Sequence, residues 1–218
     1  MMKRSDKRTS WGWERWLLLG VIMVGFGLRV YRLEAFSFWI DEGLTPLRAG
    51  YDVSTILGNR IFIQEAASVD THPPFYYLLV HVTRGLWGES VFAYRYFSVL
   101  WGILLLPLLW QMGRRLGGRE VGLLSVVLAT LSPLYVWYSQ EARMYTLFVW
   151  LGLVMSYCLW RGWEEVWRGE RPWRWLIAYS LSGGIALYTH YTALFLIGAQ
   201  VGVTVLLIGG RRLWGVDF

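Results

Sequence analysis

The stretch VFAYRYFSVLWGILLLPLLWQM, residues 91–112, carries one charge, Arg95, near its start and is otherwise almost wholly apolar or aromatic. About 20 such residues in a helix match the ~30 Å hydrocarbon thickness of a bilayer. Working outward, similar blocks cover 16–33, 121–138, 144–160, 175–190 and 191–210. The chain has 218 residues, 56% of them hydrophobic and 17% aromatic, with a mean hydropathy of +0.38. That exceeds the apolar share of an ordinary globular domain. These blocks predict an all-α integral membrane protein of about six transmembrane helices.

Charge placement orients the expected bundle. Lys3, Arg4, Lys7 and Arg8 precede the first block; Arg114, Arg115 and Arg119 follow the second. Arg161, Arg168, Arg171 and Arg174 follow the fourth, and Arg211 and Arg212 the sixth. Alternating spans put all of them on one side, which the excess of Lys and Arg in inner loops makes cytoplasmic. Trp11, Trp13, Trp16, Trp160, Trp163, Trp167, Trp173 and Trp175 flank the same clusters, as an interfacial belt does. The expected organisation is a basic cytoplasmic tail (1–15), a membrane module (16–210) with a long outer loop (34–90), and a cytoplasmic end (211–218) that reads as truncated. The apolar segment 75–87, with His81 and Arg84, is too short to span and is expected to lie along the outer surface as an interfacial helix. The net charge of +6 fits this sidedness, and no isolated basic stripe points to nucleic acid. The single cysteine, Cys158, has no partner for a disulfide or a thiolate cage.

The same topology gathers polar residues at the outer ends. FSFWIDEG (36–43) places Asp41 and Glu42 together; THPPFYY (71–77) brings His72 before two prolines; SQEARMY (139–145) carries Glu141 and Arg143; YTHYT (188–192) carries His190. Each has a plainer reading: loop charge for the acidic pair, a stiffened turn for His72, a local ion pair for Glu141 and Arg143, a helix-end residue for His190. Arg29 and Arg95, near the outer ends of the first two spans, either snorkel toward head groups or line a site facing the bundle. Taken together, the set suits sugar transfer from a lipid-phosphate donor. A carboxylate serves as general base on an acceptor hydroxyl, and arginine offers a planar fork of donors to the phosphate. A flippase or transporter needs polar groups near mid-span, whereas these cluster at the ends.

The ordered set W-x-D-E (39–42), T-H-P-P-F-Y-Y (71–77), Y-S-Q-E-A-R-M-Y (138–145) and L-Y-T-H-Y (187–191) resembles the dolichyl-phosphate-mannose-protein mannosyltransferase-like family, glycosyltransferase family 39 and its bacterial relatives. The resemblance implies a GT-C fold and an inverting transferase in the plasma (inner) membrane, its N-terminus cytoplasmic and its site extracytoplasmic. It implies Asp41 as catalytic base with Glu42 as second member of the pair. Arg143, Glu141, His72, Arg95 and Arg29 are expected around the donor phosphate, and His190 at a metal or substrate contact. The implied partners are a polyprenyl-phosphate sugar donor, a protein, lipid or glycan acceptor, and membrane lipids. No cofactor is certain, and a divalent metal is left open. The resembling proteins are about twice as long, so the alternatives are a non-catalytic membrane subunit or an inactive truncated fragment.

Overall fold

The structure, a computed structural model, describes residues 12–63 and 66–214. The basic tail with Lys3, Arg4, Lys7, Arg8 and Trp11, and the last residues after Trp214, lie outside the described residues. In chain order the elements are α1 (Gly12–Val30), α2 (Ile40–Ala49), α3 (Val53–Leu57), β1 (Arg60–Ile63), β2 (Ala66–Val69), α4 (Phe75–Trp87), α5 (Val91–Leu131), α6 (Pro133–Ser139), α7 (Tyr145–Trp167), α8 (Trp173–Thr189) and α9 (Ala193–Trp214).

Local chemistry sets several of these boundaries. Ser90 caps α5 by accepting from the Ala93 N–H at 3.1 Å, and Asp52 caps α3 by accepting from the Thr55 N–H at 3.1 Å, each satisfying a donor that has no helical partner. Proline begins α6, where its missing N–H costs nothing. The long α5 is interrupted at Gly117 and Gly118. Gly118 has φ 86°, a left-handed conformation that disfavours any residue with a Cβ. The β1–β2 hairpin is antiparallel with Arg60 opposite Val69, and Asp70 N–H closes its base on the Asn59 carbonyl at 2.8 Å.

The main core lies where α2, α4, α5, α7 and α8 meet, around Tyr76, Tyr77, Phe97, Met144, Leu147 and Met155. A second cluster, Leu106, Trp110, Val126 and Ala129, joins the two arms of α5 to α1. Segment 75–87 is thus α4, with Tyr76, Tyr77 and Val80 fully buried. It packs that face against the core, while Val82, Leu86 and Trp87 remain exposed.

Helices form at the expected apolar blocks, yet the expected fold of about six transmembrane helices is overturned. Among the described residues one helix, α5, is long and apolar enough to cross a membrane. Block 91–112 lies in the first arm of this element; block 121–138 covers its second arm, beyond the break at Gly117 and Gly118, and runs on into α6. Helix α1 includes Glu14, Arg15 and Arg29, α8 has 17 residues, and the part of α9 whose side chains are described is apolar over Ala193–Leu207. Trp, Tyr and Gly make up much of the remainder and add little aliphatic character. Charged side chains are also drawn inside: Arg29, Glu42, Arg48, Arg95 and Arg143 are all buried. The multi-pass placement in the plasma membrane, with a cytoplasmic N-terminus and an extracytoplasmic site, falls with the six-span bundle. Large apolar side chains do remain on the outside, among them Met23, Leu128, Leu181 and Phe195.

Candidate functional site

Asp41 and Glu42 stand in the first turn of α2, where unpaired backbone N–H groups favour negative charge. Their surroundings differ. Both oxygens of Glu42 are occupied: Oε1 accepts from Arg95 Nε at 2.9 Å and from Ala142 N at 2.8 Å. Oε2 accepts from Arg95 Nη2 at 2.7 Å and from Trp39 N at 3.4 Å. The Arg95 Nη1 donates to the carbonyls of Leu33 and Phe36, and Nη2 also to that of Ser37. A guanidinium has five N–H donors, and each of these has a protein acceptor. Arg95 and Glu42 are therefore turned on one another and on the α1–α2 connection, with no donor left for a phosphate. Asp41 is half-buried, and among the described residues its carboxylate makes no hydrogen bond or ion pair.

The loop between α6 and α7 is pinned to α2 through Ala142. Its N–H donates to Glu42, and its carbonyl accepts from Thr45 Oγ1 at 2.6 Å. This pinning carries Arg143 to Asp41: Nη1 donates to the Asp41 carbonyl at 3.0 Å, and Nη2 lies 3.3 Å from His72 Nε2. Arg143 is 2% exposed and Nε is buried without a partner. No carboxylate pairs with it among the described residues. The Tyr145 ring lies 5.8 Å from the guanidinium.

Glu141 and Arg143 do not form a local ion pair. Glu141 Oε1 accepts instead from Trp137 Nε1 at 2.7 Å, and Oε2 is buried without a partner. Burial pushes its carboxyl above the usual range; Glu42 and Asp41 add to the rise, while the Trp137 bond and Arg143 oppose it. Glu141 also lines a cavity of about 870 Å³ with Trp39, Glu42, Arg95, Trp137 and Tyr145.

His72 and His190 come together, their rings in a T-shaped contact at 5.9 Å. His190 packs on Phe148 at 5.4 Å, and its Nδ1 accepts from Thr192 N at 3.2 Å. Burial, then the nearby His72 and Arg143, hold its pKa below the usual value. Among the described residues no group of three or more His, Cys, Asp or Glu forms a metal cage. The Arg143 guanidinium lies on the Nε2 side of His72. Arg29 is elsewhere. It donates to Ser139 Oγ, the Gly25 carbonyl and the Ala129 carbonyl, and so joins α1 to α5 and α6.

Two residues that sequence reasoning passed over sit behind His72. Asp70 Oδ1 accepts from His72 N and lies 3.0 Å from His72 Nδ1, and Oδ2 receives Arg48 Nη1 at 2.5 Å. The one sequence signal was their charge inside an otherwise uninformative loop. The structure thus assembles Asp41, Arg143, His72 and His190, with Glu141 nearby. Glu42 and Arg95 are closed on each other, and Arg29 is set apart.

The family model described as dolichyl-phosphate-mannose-protein mannosyltransferase matches residues 71–216, about two thirds of the chain, and the chain belongs to that family. The match includes His72, Glu141, Arg143 and His190; Asp41 and Glu42 precede it. No curated protein and no solved structure matches the chain.

Proposed function

We propose, taking membership of that family as the premise, that this chain carries the base and the phosphate-binding cation of a glycosyltransferase that uses a polyprenyl-phosphate sugar. Asp41 takes the proton from an acceptor hydroxyl on a protein, lipid or glycan. The hydroxyl oxygen bonds to the anomeric carbon as the bond from that carbon to the phosphate oxygen breaks, with inversion. The phosphate leaves with the electron pair and is met by Arg143. One observation supports this most: a buried guanidinium with no carboxylate partner is hydrogen-bonded to the carbonyl of the residue with the free carboxylate. In a site shielded from water, such a fixed charge acts on the leaving phosphate more strongly than it does in solution. Glu42, with both oxygens engaged, serves here as a positioning residue for the α2 turn and the 140–144 loop. His190 edges the site as a substrate contact through its ring.

The decisive experiment incubates purified protein with polyprenyl-phosphate sugars and hydroxyl acceptors and follows release of polyprenyl phosphate. Transfer by the wild type, lost in Asp41→Asn with an unchanged circular dichroism spectrum, supports the assignment. Transfer retained in Asp41→Asn removes Asp41 as the base. A second reading, a non-catalytic subunit or a truncated, inactive portion of a transferase, draws on the fold, in which, among the described residues, one helix has membrane-crossing length and apolarity. It predicts binding of polyprenyl phosphate without transfer under any donor and acceptor combination.

A further inference from the structure

Arg48 and Asp70 form a deeply enclosed ion pair that takes no part in the chemistry above. Arg48 is fully buried; its Nη1 also donates to the His72 carbonyl at 3.1 Å, its Nη2 to Asn59 Oδ1 at 2.8 Å, and the Tyr77 ring lies 3.8 Å from its guanidinium carbon. Asp70 meets this cation with Oδ2 and turns Oδ1 to His72. The hairpin makes this geometry: Asn59 and Asp70 close its base, and Asn59 has φ 53°, a left-handed conformation that asparagine tolerates.

The donor and acceptor requirements then fix one arrangement. An ionised carboxylate only accepts, so His72 Nδ1 carries the proton toward Asp70 Oδ1. Nε2 is left with its lone pair, and Arg143 Nη2, which only donates, lies 3.3 Å from it. The opposite tautomer places a lone pair against a carboxylate and two N–H groups against each other, losing both bonds. We infer that Asp70, braced by Arg48, is a positioning residue: it sets the His72 tautomer so that His72 Nε2 holds the Arg143 guanidinium beside Asp41. Arg48 and Asp70 cancel each other's charge, and the neutral imidazole orients Arg143 without neutralising it. A carboxylate at position 72 would orient the guanidinium equally well and remove the charge that attracts an anion. The proposal rests on the reading of Arg143 as the phosphate-binding residue and adds what points it there.

The test combines nitrogen-15 spectra of the imidazoles with binding of farnesyl phosphate. Only three histidines occur in the chain, so the His72 signals are assigned by substitution. In the wild type His72 is expected as the Nδ1–H tautomer; an Nε2–H tautomer there overturns the inference. Asp70→Asn is expected to release the tautomer to a mixture and to weaken farnesyl phosphate binding about tenfold, the loss expected for one charge-assisted hydrogen bond. Should Asp70→Asn fail to fold, His72→Phe removes the acceptor while keeping a ring, and the same weakening is expected. Wild-type affinity in the variant that folds overturns the inference, as does binding that does not depend on Arg143. If the wild type binds farnesyl phosphate in this way but transfers no sugar, the transferase reading fails and the positioning role stands. If transfer occurs and His72 holds the other tautomer, the positioning role fails alone.

Discussion

Glu42 and Arg95 meet through two parallel bonds, Nε to Oε1 at 2.9 Å and Nη2 to Oε2 at 2.7 Å, with the Glu42 side chain 1% exposed. The pair ties α2 to α5, and its outer hydrogen bonds reach Ala142, Leu33, Phe36 and Ser37. Removing either partner strands a charge and several polar groups inside the protein. Glu42→Gln and Arg95→Met are each expected to lower stability by about 3–5 kcal/mol, as broken buried pairs do. Denaturant unfolding checks this, and a loss below about 1 kcal/mol in both variants removes the structural role of the pair.

Arg143 is expected to behave in the opposite way. It has no carboxylate partner among the described residues, and its Nε is buried without an acceptor. Arg143→Met gives up bonds to the Asp41 carbonyl and His72, each worth about 1 kcal/mol, and the favourable field of Tyr77, Tyr145 and Asp41, but relieves the desolvation of a buried cation. A stability change of no more than about 1–2 kcal/mol is expected, together with loss of prenyl phosphate binding. Thermal unfolding with and without farnesyl phosphate reads both effects. A strongly destabilised Arg143→Met, comparable to Arg95→Met, means that Arg143 is a structural cation and not a binding one.

Glu141 supplies a pH signature. Its folded-state pKa is raised above the 4.5 of a free side chain, chiefly by burial. The folded protein therefore holds this proton more tightly than the unfolded chain does. Stability must then fall as pH rises from about 4.5 through the folded pKa. Glu141→Gln keeps an oxygen for Trp137 Nε1 and removes the titration. The wild type is expected to lose stability relative to Glu141→Gln across that window and to show no relative change below it. A constant difference from pH 4 to 8 disproves the raised value.

Much of the helical framework was legible because apolar blocks report helices directly. The expected 144–160 and 175–190 became α7 (Tyr145–Trp167) and α8 (Trp173–Thr189). The count of spans was misread because a run containing Trp, Tyr and Gly looks apolar without being aliphatic. The break between blocks 91–112 and 121–138 was legible too, at Gly117 and Gly118, where the two arms of α5 part. Asp41, His72 and Arg143 stood out as polar residues in ordered motifs between apolar runs. Arg29 and Arg95 stood out equally, yet sequence shows a charge and not which groups it meets: Arg29 joins Ser139 and the Gly25 and Ala129 carbonyls, and Arg95 joins Glu42. Asp70, Arg48 and Asn59 stayed invisible for another reason. Their contact depends on a short hairpin and on a left-handed Asn59, and neither leaves a periodic signal.

Asp70 carries the last prediction, at the acid end. Burial pushes its carboxyl upward, but the hydrogen bonds from the His72 ring and backbone, then the charge of Arg48 and, in acid where the ring is protonated, that of His72, outweigh this and hold it at about 2. Its folded-state pKa thus lies below the free value of 3.8, so its stabilisation is fully present above that value and is lost as pH falls toward 2. A shift of this size corresponds to roughly 2 kcal/mol. At neutral pH, Asp70→Asn leaves Arg48 enclosed with no counter-charge, and a loss of about 3 kcal/mol or more is expected. The two measurements should converge: the wild type's advantage over Asp70→Asn is expected to shrink as pH falls below about 4. An advantage that persists unchanged to pH 2 shows that Arg48 is held by its bonds to Asn59 and His72 and by the Tyr77 ring, with the Asp70 charge contributing little.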